Sequence, residues 1–152
     1  MTLLKSFFAA IMLCGLPALL SADTIMIKDA YAYRATPSSK AGGIFMVIHN
    51  HGTADDRLVS VASTAAQKAE LHTHIQSSDG VMKMRPVIGG FVIEAGKIAM
   101  LKRGADHIML MGLHNSWHQG DLISIVLTFE KAGEMTLDVP VDLNRSDAAH
   151  SH

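Results

Sequence analysis

Cysteine is almost missing from this chain: Cys14 is the single thiol among 152 residues, and it lies inside an apolar N-terminal run. Met1 to Ala22 reads as an export signal, with Lys5 as its basic start, Ser6 to Leu20 as its apolar core and Ser21-Ala22 as its small-residue end. Cleavage after Ala22 removes the thiol. The mature chain then has no disulfide framework, and any site needing a cysteine ligand or nucleophile is excluded. A long apolar span is also lacking, because the run falls short of the roughly 20 residues that cross a bilayer. Leu13 stands before Cys14 where a lipid-attachment signal wants a small residue, which argues against lipidation there.

Charge of one sign is lacking too. Thirteen Lys and Arg against 14 Asp and Glu leave a net charge of −1, so no strong field exists for a nucleic acid backbone or an anionic membrane. The chain shows no internal repeat, and no Gly-x-Ser-x-Gly segment supports Ser-His-Asp catalysis. At this length, with 49% hydrophobic residues, one globular domain with a substantial core is expected.

A sustained helical period is the last absence. Short apolar runs with period-2 alternation recur instead between Gly, Asn, Asp and Ser clusters, which predicts an all-β chain. Strands are expected near 24–32, 43–49, 57–62, 68–75, 81–87, 90–94, 97–102, 107–111, 121–130 and 134–141, arranged as a Greek-key sandwich or small barrel. Residues 62–69 could hold a helical turn at most. Gly112 to Gly120 reads as a loop, and 144–152 as a flexible polar tail after a domain spanning 23–143.

What the sequence does have is imidazole and thioether. Alternate strand residues share a face, so Glu70, His72 and His74 lie together, as do His107, Met109 and Met111, and Met82 with Met84. Leu71, Ile108 and Leu110 take the opposite, apolar faces. A lone Met is usually packing material, and Met26, Met46, Met100 and Met135 are read that way. His49, His51, His114 and His118 read as structural or surface residues, and His150 and His152 as part of the tail. His72, Met84, His107 and Met109 form a coherent soft set. Thioether with imidazole suits Cu(I) and offers little to Mg²⁺, Ca²⁺ or Zn²⁺.

These residues resemble the periplasmic copper chaperone family of the PCuAC type. The resemblance runs from Ile27 to about Val141. It rests on Asp29-Ala30-Tyr31, a Gly-rich approach to Phe45-Met46-Val47-Ile48 and Asn50, Asp56-Arg57-Leu58-Val59, and Glu70-Leu71-His72. Further matches are Gly80 through Val87, Gly104 through Leu113, and Gly120-Asp121. The family pattern of a His, a later Met and a final His-x-Met carries over to His72, Met84, His107 and Met109, with gaps slightly wider than usual. Met82 and His74 remain alternatives to Met84 and His72.

The resemblance implies a cupredoxin-like fold and a Cu(I) carrier that is not an enzyme. The implied partner is a copper-receiving protein, an oxidase subunit or its assembly factor, in the periplasm. No nucleic acid or small-molecule substrate is implied, and the membrane is reached only through a membrane-bound partner. A blue-copper electron carrier would need a cysteine thiolate, which the mature chain lacks. Two competing readings stay open. One is a metal-dependent hydrolase or oxidase using His72, His74 and His107, with Glu70 or Asp106 as base; the other is a structural β-domain.

Overall fold

The computed structural model describes residues 24–146; the expected export signal, Cys14 and the end of the tail lie outside them. Ten strands occur among the described residues, and no helix. They are β1 (Ile25–Tyr33), β2 (Ala41–Asn50), β3 (Asp56–Ala62), β4 (Ala66–Gln76), β5 (Met82–Pro86), β6 (Phe91–Ile93), β7 (Ile98–Leu101), β8 (His107–Leu113), β9 (Leu122–Phe129) and β10 (Gly133–Pro140). The expected strands are all present with shifted ends. The helical turn allowed between 62 and 69 is not formed. Ala66 is already in β4, opposite Leu113 and almost fully buried, so the ladder claims the segment.

Two sheets pack face to face. One runs β1-β2-β8-β4-β5, with β7 continuing beside β2 past the end of β8; the other runs β10-β9-β3-β6. The inward set on each strand follows from alternation. On β2 it is Ile44, Met46 and Ile48, and on β8 Ile108 and Leu110, all at most 1% exposed; Leu58, Leu127 and Phe129 answer from the second sheet. Those apolar faces, removed from water at roughly 25 cal/mol per Å², account for the sandwich.

Outward residues of the larger sheet are Gly43, Phe45, Val47 and His49 on β2, and His107 and Met109 on β8. A bulge in β1 keeps the two rims aligned. Lys28 faces Val47 and Tyr31 faces Phe45, so Asp29 and Ala30 together oppose Met46, and Asp29 has a φ of 52°. Without the extra residue Tyr31 and Tyr33 would turn inward. With it, both join Phe45 on the outer face.

Two polar residues in the matched segments are structural. Asn50, 2% exposed, donates to the carbonyls of Ala54 and Ile93 and accepts from the Gly52 N–H, each at 2.9 Å. Asp56 accepts from the N–H groups of Arg57, Lys131 and Ala132 at 2.7 to 3.0 Å, tying the β9–β10 turn to β3. The loop after β8 is anchored as well, because Trp117 is 2% exposed and packs on Gly42. A Cβ at Gly42 would lie 2.3 Å from that indole, so β2 needs glycine there.

The start of the expected flexible tail is docked. Arg145 pairs with Asp29, and its guanidinium lies 4.3 Å from the Tyr31 ring centroid. Its carbonyl accepts from Arg103.

Candidate metal centre

Strand register brings the candidate ligands to one end of the outer face. β4 lies between β5 and β8. His72 is opposite His107 on β8, Glu70 is opposite Met109, and His74 is opposite Met84 on β5. Directly opposed side chains have Cβ atoms about 4.5–5.5 Å apart, and diagonal ones about 7–8 Å. Met84 and Met109 therefore sit diagonally on either side of His72. All four residues, with His74, occupy neighbouring positions.

Met84, His107, Met109 and His74 line a common cleft of about 250 Å³. Gly43 lies opposite Met109 and leaves that cleft open; a Cβ there would be 2.7 Å from the Phe45 ring. His72 is buried beside the cleft, 8% exposed, with its ring centroid 5.9 Å from that of His107. Met82 pairs with Gln76, one step further toward the sheet's end, and does not line the cleft. Position thus favours Met84. His74 stays adjacent, its ring centroid 5.2 Å from His107.

The imidazoles are held in definite tautomers. A carbonyl can only accept, so the 2.9 Å contact of His107 Nδ1 with the Ala105 oxygen places the proton on Nδ1 and frees Nε2 as a lone-pair donor. His74 Nδ1 reaches the same carbonyl at 3.2 Å. His72 Nε2 lies 2.9 Å from a Glu70 carboxylate oxygen, whose other oxygen meets Lys68 Nζ at 2.6 Å. The Nδ1 of His72 is buried without a hydrogen-bond partner among the described residues. A buried acceptor left unpaired is costly, and a bound cation would satisfy it.

Electrostatics favour the neutral form of the His107 ring. Burial pushes its pKa below the ordinary imidazole value, outweighing the Ala105 hydrogen bond, and the neighbouring His74 and His72 lower it further. Glu70 is held below the usual carboxylate range by its bonds to His72 and then Lys68.

The sequence reading missed the wall behind this site. Tyr31 and Phe45 pack in a tilted arrangement with ring centroids 5.1 Å apart, Phe45 packs on His107 at 6.1 Å, and the Arg103 guanidinium lies 3.6 Å from the Tyr33 ring centroid. A signal was present in Gly42-Gly43 and the tyrosine pair on β1, but it needed the bulge to interpret.

Comparison with known proteins gives this site a context. The family described as "Putative lipoprotein LpqE-like" matches residues 25–141. The chain belongs to that family. A curated relative, "Putative lipoprotein Lxx21020" of Leifsonia xyli subsp. xyli (strain CTCB07), is 32% identical over 120 residues, covering 79% of this chain and 70% of the relative. Among solved structures, the copper-bound PCuAC domain from PmoF2 superposes with a TM-score of 0.65 at 20% identity, covering 79% of this chain and 93% of that one. The Cu(I) form of DR1885 from Deinococcus radiodurans gives 0.65 at 23% identity, covering 84% of each.

The fold is therefore that of PCuAC domains, the cupredoxin-like sandwich expected from the resemblance. Both family and relative are described as lipoproteins, whereas Leu13 before Cys14 argued against lipid attachment there. Met26 and Met100 differ from expectation: each is 44% exposed on the outer face, whereas Met46 is 1% exposed in the core and Met135 packs against it.

Proposed function

We propose that this chain is an exported copper chaperone that holds Cu(I) through His72, Met84, His107 and Met109 and hands it to a partner protein. The observation that supports this most is the register. Three adjacent strands bring two imidazoles and two thioethers to one patch beside an open cleft. Thioether needs no deprotonation, and neutral imidazole matches the tautomers found. Similar domains solved in copper-bound and Cu(I) forms share the fold.

The ligands differ in exposure in a way that suits transfer. His72 and His107 are buried, Met109 is half-buried, and Met84 is 48% exposed on the edge strand β5. An incoming ligand from a partner would meet the ion on the Met84 side, so that thioether leaves first while the imidazoles still hold. The ion is exchanged without being released to water. The receiving partner in this reading is a periplasmic copper protein, an oxidase subunit or its assembly factor.

The hydrolase reading finds little to work with. Glu70, one of its two candidate bases beside Asp106, is engaged by both Lys68 and His72.

Anaerobic titration with Cu(I) against a competing chelator tests the proposal. One tight equivalent is expected, weakened in each of His72→Ala, Met84→Leu, His107→Ala and Met109→Leu. Parent-like affinity in all four variants would refute it.

A further inference from the structure

The opposite end of the same outer face gathers a second set of imidazoles and thioethers. Met26 on β1 stands directly opposite His49 on β2. Ile98 on β7 flanks His49 on the other side, and Met100, opposite Val47, lies diagonal to it. His51, two residues further on, stacks on His49 with ring centroids 5.6 Å apart and planes inclined by 19°. Its backbone is fixed at this place, since the His51 N–H donates to the Thr24 carbonyl at 2.7 Å.

Packing does not account for this group. Met26 and Met100 leave 44% of their surface in water, and a thioether spent on filling a core would sit where Met46 does. Opposed and diagonal positions on antiparallel strands are within about 4.5–8 Å at Cβ, a gap that flexible methionine arms close easily. We propose that Met26, His49 and His51 form a second, solvent-open binding site for Cu(I), separate from the cleft; Met100, level with Val47 and so four positions from His51 along the strand, stays outside it.

The separation follows from the strand. His49 lies four positions from Phe45 along β2, about 14 Å at 3.4 Å per residue, and Phe45 is the residue that packs on His107. One ion cannot be shared between the two groups. Lys28 faces this second group from β1, opposite Val47, and its charge opposes a bound cation. Among the described residues no ring hydrogen bond fixes His49 or His51, unlike His107 and His72. The second site is therefore the weaker one, by about tenfold or more.

The proposal does not depend on the cleft ligands, and its test treats the two separately. The protein, labelled at its methionine methyl groups, is titrated anaerobically with Cu(I) and followed by NMR. The second equivalent should shift the Met26 methyl signal and the His49 and His51 ring protons. A Met26→Leu/His49→Gln variant, with unchanged thermal unfolding, should lose that equivalent and keep the first. Met109→Leu should weaken the first and keep the second, so failure of the cleft reading would show as loss of a different signal set. A Met26 signal that stays still through two equivalents, or a double variant that binds as much copper as the parent, would overturn the second site.

Discussion

The two ends of the outer sheet face carry the same kinds of side chain in very different settings. At the cleft end His72 and His107 are 8% and 3% exposed, each with one ring nitrogen committed to a protein oxygen. At the far end Met26 and Met100 are 44% exposed, and among the described residues the His49–His51 pair is restrained by its own stacking and backbone. The difference teaches that donor type alone does not make a tight site. Orientation of the donors by their neighbours does.

The sharpest way to break the comparison is to remove a ligand from each end. His107→Ala should lower affinity for the first Cu(I) by more than about a hundredfold, since even supporting groups around metal ligands are worth 10- to 100-fold. His49→Ala should leave that first affinity within about twofold, because the sites are distant and independent. Competition titrations on both variants read the contrast directly.

Gly43→Ala disturbs only the cleft end. Its new methyl would press on the Phe45 ring at 2.7 Å, and the ring would move against His107. A stability loss of about 1–3 kcal/mol is expected from such overpacking, measurable by urea unfolding, together with weaker binding of the first Cu(I). Unchanged stability would mean that Phe45 relaxes freely.

Glu70→Gln tests orientation without touching a ligand. The Lys68–Glu70–His72 chain would lose its carboxylate charge, and first-site affinity should fall by about tenfold, while the far end is unaffected. An effect on both ends would point to a general loss of folding.

The smallest effect concerns pH. His107 has a folded pKa below its unfolded value because it is buried, so the unfolded chain takes up the proton first as pH falls. Its stabilising contribution to the copper-free protein is complete above the ordinary imidazole pKa and is lost as pH drops through the lowered folded value. NMR titration of the ring should give that lowered midpoint. Copper should abolish the titration, because the bound ring cannot take a proton.

Much of this was legible in the sequence because alternation is a strict rule. Leu71 and Ile108 inward with His72 and His107 outward follows from period 2 alone, and the structure shows it. Pairing of strands distant in sequence does not follow from any local pattern. That β4 lies between β5 and β8, and that His72 faces His107, is set by the sandwich topology. The exposed Met26 and Met100 were misread for the same reason. β7 is four residues long and apolar on both sides, and β1 changes face at its bulge, so the register with β2 showed which face each thioether takes. Trp117 was placed in a loop correctly, but its burial against Gly42 depends on a contact across 75 residues of chain.

The first-site claim rests on sulfur and nitrogen ligands meeting at one ion. Copper K-edge absorption on the protein carrying one equivalent measures this directly. A Cu(I) edge with a shell of two imidazole nitrogens and two thioether sulfurs is the predicted result. A shell of nitrogen and oxygen without sulfur would contradict the account.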